Sequence, residues 1–151
     1  MRTHWTGTAS VMAAALALAG CSSQPLEYTP QPGTLVAGTA QITVNGADVG
    51  TTDAVQCDPV GRLTMMRTGD PGNPEAPGIS AMIESQDELV VREVGILDLG
   101  GFTGSYNDGL GGEATVTMTG RTYDIQGIAD GFDTDNPSFR TTGNFQIKIA
   151  C

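Results

Sequence analysis

Histidine occurs once, at His4, and the 151-residue chain sets 7 Lys and Arg against 17 Asp and Glu. Beyond His4 there is no imidazole. That excludes Ser-His-Asp and Cys-His nucleophilic catalysis, His-ligated zinc and the most used general base from the rest of the chain. Carboxylates alone, or an unusual Tyr or Lys arrangement, would have to carry any reaction, so the expectation is that the protein is not an enzyme. The shortage of cations gives a formal net charge of −10. Such a surface repels phosphate backbones and anionic head groups, which argues against nucleic acid as a partner. No apolar run reaches the roughly 20 residues of a membrane-spanning helix, and no stretch has a convincing amphipathic helical period.

What is present at the N-terminus is a three-part export signal. Arg2 supplies the charged start, an apolar middle runs from about Ala9 to Ala19, and small residues precede the cut. The apolar run is about half the length needed to span a bilayer. It ends in Leu18-Ala19-Gly20-Cys21, the pattern of a bacterial lipobox. The Cys21 thiol then takes a diacylglycerol, and cleavage before it frees an amine that is acylated in turn. Two or three chains anchor where one binds only marginally, because each buried CH₂ contributes about 0.8 kcal/mol. A plain secretory signal with an incidental cysteine is the alternative. This reading divides the chain into a signal at 1–20, an acylated tether at 21–33 and a β domain at 34–151. It places the protein on the extracytoplasmic side of the cell membrane, with covalent lipid as its only non-protein group.

The remaining two of the three cysteines, Cys57 and Cys151, make an even pair in an exported chain, which reads as a disulfide. Closing a loop of about 95 residues is worth about 4 to 5 kcal/mol in the chain-entropy model. A free reactive thiol is the alternative. The segment from Ser22 to Gly33, SSQPLEYTPQPG, has three prolines and little that packs. A dozen such residues at about 3.1 Å each hold a domain some tens of Å above the lipid.

From Leu35 onward the apolar period is two. Ala40, Ile42 and Val44 alternate with Thr39, Gln41 and Thr43, and Asn45-Gly46 supplies a tight hairpin turn before a short return strand at Ala47 to Gly50. Val55 and Cys57 share a face of a strand that ends at Asp58-Pro59; Leu63 and Met65 share a face of the next. The run from Thr68 to Gly78 is a loop rich in Pro and Gly. Ile79, Ala81 and Ile83 alternate again, and the β-branched stretch Leu89 to Leu99 reads as a central strand. Gly100 to Gly112 reads as a bent strand plus loop with glycines at bulges. Ala114, Val116 and Met118 alternate with threonines, Gly120-Arg121 turns the chain, and Tyr123 and Ile125 return. A polar loop from Asp130 to Ser138 precedes Phe145, Ile147, Ile149 and Cys151, which keep one phase and aim Cys151 at the core. About eight short strands predict an all-β fold, an antiparallel sandwich or open barrel with one disulfide.

Two clusters invite chemistry. Asp130, Asp133, Asp135 and Asn136 offer oxygen ligands at short spacing for a hard cation such as calcium. They lack the glycine and distal glutamate of a helical calcium loop, and Asx residues before a proline also make ordinary turns. Phe102, Tyr106 and Leu110, on a glycine-rich segment, form either an apolar patch for a ligand or the core side of a bulged strand. The acidic pair Asp87-Glu88 reads as a solvated turn, and Gly109 to Gly112 has neither the lysine nor the helix of a phosphate-binding loop.

Taken together, the lipobox, the tether, the Val44-Asn45-Gly46 turn, the Val55-x-Cys57 strand and the closing Phe145 to Cys151 strand resemble the mycobacterial LpqH-type lipoprotein antigens. Gly101-Phe102-Thr103-Gly104-Ser105 is similar to the LppE-like branch. The resemblance covers nearly the whole chain. It implies a lipid-anchored envelope protein that acts as an antigen or adhesin, with Toll-like receptor 2 recognising the acylated cysteine and with no enzymatic activity. The tether is poorer in Thr, Ser and Ala than that family's glycosylated tethers. An alternative role is carriage of an apolar envelope lipid or glycolipid between the sheets.

Overall fold

The computed structural model describes residues 28–151, and among them every regular element is a β-strand. The strands are β1 (Ala40–Val44), β2 (Ala47–Thr52), β3 (Val55–Val60), β4 (Leu63–Thr68), β5 (Gly78–Ser85), β6 (Leu89–Leu99), β7 (Phe102–Asn107), β8 (Glu113–Thr119), β9 (Thr122–Asp133) and β10 (Arg140–Ala150). The all-β expectation holds, with ten strands instead of about eight. Four connections are two-residue hairpins, each carrying the glycine its geometry needs, and in β6–β7 both residues, Gly100 and Gly101, are glycines at positive φ. Asn45 and Gly46 both have positive φ, 51° and 76°, while Gly61 and Gly120 stand first in their turns at 65° and 59°.

All ten strands belong to one antiparallel sheet in the order β2-β1-β10-β9-β7-β6-β5-β4-β3, with β8 pairing β9. β9 holds β7 and β8 along the same edge: Phe102 to Ser105 lie beside Asp133 to Asp130, and Glu113 to Thr119 beside Ile128 to Thr122. The residues between, Tyr106 to Gly112, leave that row. Tyr106 and Asn107 stay paired with Val94 and Glu93 of β6, so the sheet forks there. The two ends of the sheet also approach each other. Val49 to Thr52 of β2 share the lining of one small depression with Thr68, Gly78 and Leu99.

Register turns the sequence alternation into inner and outer rows. Ile42, Ile147, Ile125 and Val116 stand side by side on the inner face, followed by Val44, Phe145, Gly127 and Ala114. Ile83, Val94, Met66 and Phe102 meet them from the other half of the sheet. Each fully buried aliphatic or aromatic side chain contributes roughly 1.5–3 kcal/mol, and this interior is the main support of the fold.

Several boundaries differ from expectation. β3 continues through Pro59 to Val60; it is an edge strand, where a missing N–H leaves no neighbour unpaired. Leu63 and Met65 do share a face, but it is the outer one, and Met66 is the buried residue of β4. Asp130 to Asp133 are not loop but the last turnless stretch of β9, so the loop shrinks to residues 134–139.

Candidate functional site

The signal at 1–20, the lipobox cysteine Cys21 and the first tether residues lie outside the described residues. What the structure places is the point where the tether enters the domain. Thr34 closes a turn on Gln31, its N–H and Oγ1 donating to the Gln31 carbonyl at 3.0 and 2.8 Å. The Leu35 N–H donates to Thr122 Oγ1 at 2.9 Å, and Thr122 is the buried polar residue among those described. Gly38 N–H then donates to the Ala150 carbonyl at 2.8 Å, and Ala150 N–H to the Thr39 carbonyl at 2.9 Å. The chain therefore enters beside the β8–β9 turn and the end of β10.

The same end of the molecule holds the disulfide. Cys57 on edge strand β3 is bonded to Cys151, 94 positions later in the sequence, with 5.9 Å between their Cα atoms. Cys151 packs against the core half-buried, and its N–H donates to the Arg121 carbonyl at 3.1 Å. The Arg121 guanidinium donates to the Cys151 carbonyl in return. The bond thus joins an outer strand of one half of the sheet to the end of the strand that runs through the middle of the other.

The aromatic cluster separates. Phe102 is fully buried and Tyr106 nearly so, whereas Leu110, at the tip of the β7–β8 connection, is 83% exposed. The three do not form one surface. Phe102 lies across glycines on three strands, Gly104, Gly131 and Gly143, where any Cβ would meet its ring. These glycines are the reason a Phe fits there, and in the sequence they look like turn residues.

The acidic cluster is spread along a strand end and a loop. Asp130 projects outward from β9 opposite Ser105 and Thr142. Asp133 ends the strand, and its carbonyl accepts from the Asn136 N–H at 2.9 Å in an ordinary turn. Among the described residues no three His, Cys, Asp or Glu side chains converge as metal ligands. Sequence reasoning missed a different charged arrangement, because its members come from four strands or loops. Glu84 pairs with Arg62 at 2.8 Å and with Arg92 at 2.6 Å, and Arg92 also pairs with Asp108. The hydrogen bonds that Arg92 donates to Glu84 first, and then to Asp108, raise the pKa of its guanidinium above the usual range.

The larger depressions open on the outside of the sheet. One of about 600 Å³ crosses β1, β10, β9 and β8, with Thr43, Asn144, Gln146, Gln126 and Thr115 among its lining residues. Another, of about 460 Å³, lies under the long β4–β5 connection beside Arg67, Ser80 and Gly95. The space between the inner faces is filled by Phe102, Met66, Ile83, Ile125 and Ile147.

Residues 33–151 match the family model described as Mycobacterium 19 kDa lipoprotein antigen. A protein of Mycobacterium indicus pranii, named as a lipoprotein, is 33% identical over 152 residues and covers the whole of both chains. A second lipoprotein, from Mycobacterium avium subsp. hominissuis, is 32% identical over all of this chain and 97% of its own. Lipoprotein LpqH of Mycobacterium tuberculosis is 30% identical over 112 residues, 74% of this chain and 68% of its own.

Proposed function

Because the chain belongs to the Mycobacterium 19 kDa lipoprotein antigen family, we propose that it is a lipid-anchored envelope protein that acts through interactions, with acyl chains on Cys21 as both its membrane anchor and its ligand for host Toll-like receptor 2. The observation that carries this reading is the allocation of the cysteines. Of three in the chain, Cys57 and Cys151 are consumed by the disulfide, so the thiol in Leu18-Ala19-Gly20-Cys21 is the one left for lipid. The entry point supports the geometry: the tether meets the domain at one end, beside Thr122 and Cys151, and the Asn45-Gly46 turn lies at the far end of β1 from it. The acidic chain then stands clear of anionic head groups, which repel it.

The test is Cys21→Ala in the native envelope. The variant is expected in the soluble fraction, folded and disulfide-bonded, with its stimulation of a Toll-like receptor 2 reporter lost. Retention in the membrane fraction refutes the anchor, and an undiminished reporter signal refutes the receptor ligand.

A further inference from the structure

On the outer face of β1, β10, β9 and β8, Asp130 and Arg140 lie towards one end, and the stretch between them and the tether entry carries few charges in a chain whose net charge is −10. Register puts Thr43, Gln146, Gln126 and Thr115 in one row across the four strands, each directly opposite the next. The neighbouring row is Gln41, Lys148, Asp124 and Thr117. Its two charges cancel, Lys148 Nζ standing 3.7 Å from Asp124 Oδ2. Beyond the first row, Asn144 lies opposite half-buried Ile128, which in turn lies opposite Glu113. These residues border the depression of about 600 Å³, and Glu113, at its rim, is the charged residue in its lining.

The polar side chains that line the depression are largely uncommitted. Among the described residues, the side chains of Thr43, Thr115, Gln126 and Asn144 make no hydrogen bond within the protein, and Gln146 makes one long one, 3.5 Å to Asp124. Each amide offers two donors and an acceptor, and each hydroxyl offers both. Amides in a row, hydroxyls at its ends and an aliphatic side chain beside them suit a ligand that is itself uncharged, rich in vicinal hydroxyls and apolar on its C–H faces. Four strands at about 4.8 Å spacing present roughly 14 Å of such surface, enough for a short oligosaccharide. Gln126 and Ile128 lie four and six residues along β9 from Thr122, where the tether enters. At about 3.3 Å per residue the groove is therefore roughly 13–20 Å from that entry.

We propose that this groove binds a segment of neutral polysaccharide, held by the amides of Gln126, Gln146 and Asn144 with Ile128 against a sugar face. The proposal does not depend on the lipid anchor.

The test uses the full-length protein in detergent micelles, titrated calorimetrically with cellohexaose, maltohexaose and a mannohexaose, and with the hexamer of galacturonic acid as the charged control. At least one neutral hexamer binds, and the Gln126→Ala/Gln146→Ala double variant weakens that binding about tenfold or more, the equivalent of roughly 1.4 kcal/mol. Both positions are exposed, so the melting temperature stays put. Three results each overturn the proposal: no neutral hexamer binds at millimolar concentration, the double variant binds as the parent does, or the acidic hexamer binds as well as the neutral ones. Self-association that the same double variant abolishes, seen by sedimentation, would also overturn it by assigning the face to a second copy of the chain.

Discussion

The ring of Phe102 occupies the space that a side chain on Gly143 would need: a Cβ built on Gly143 comes within 2.8 Å of Phe102 Cε1. The two residues sit on β7 and β10, with β9 between them. Gly143→Ala is expected to destabilise the domain by about 1–3 kcal/mol through overpacking. Phe102→Leu vacates part of the ring and should absorb much of that loss, so urea unfolding of the double variant gives less than the sum of the singles. Strict additivity would show that the ring and the glycine do not constrain each other.

Reducing the Cys57–Cys151 bond, or replacing both residues by serine, should lower stability by about 4 to 5 kcal/mol if unfolded-chain entropy dominates. The far-ultraviolet signature of β-structure should survive at low temperature, because the inner rows of isoleucines do not depend on the bond. A loss below about 1 kcal/mol would mean that the unfolded chain is already compact enough to gain little from the cross-link.

Thr122→Val keeps the shape of the side chain and removes the oxygen that accepts the Leu35 N–H. Leu35 is half-buried, so the cost falls at the low end of the roughly 1–3 kcal/mol of an unsatisfied buried donor. The effect should be local as well as global: amide exchange should quicken at Leu35 and Gly38 while the centre of β10 stays protected. Unchanged exchange at Leu35 would show that the Thr122 hydroxyl is not its partner.

Calcium is expected to leave the melting temperature unchanged. Asp130, Asp133, Asp135 and Asn136 run along a strand end and a loop, and no cluster of three acidic ligands forms among the described residues. A rise of several degrees on adding millimolar calcium would restore the cation site.

Much of this architecture was legible as alternation. Ala40, Ile42 and Val44 and the phase of Phe145, Ile147 and Ile149 name inner-face residues correctly, and Asn45-Gly46 names its turn. The phase of β4 was not legible, because Leu63, Met65 and Met66 are all apolar. Pairing with the disulfide strand decides it: Cys57 lies opposite Met66, which puts Met66 inside. The end of β9 was hidden for another reason. Gly131 faces the Phe102 ring and stands in the run Asp130-Gly131-Phe132-Asp133, so a strand whose inner face is glycine and which is flanked by acids reads like a turn. The uncharged row on the outer face is invisible for a third reason. Its rows are assembled from residues up to about a hundred positions apart, and only register makes Thr43, Gln146, Gln126 and Thr115 neighbours.

The Cys57–Cys151 bond also fixes what proteolysis can do to the molecule. It closes a covalent ring that contains β4 to β10 and the long exposed connection between Thr68 and Gly78. A single cut anywhere inside that ring opens the ring without dividing the molecule, and the fragment bearing the new N-terminus stays joined to the tether through Cys57. Nicked protein runs as one species without reductant and as two with it, and what releases a fragment is a second cut or a thiol.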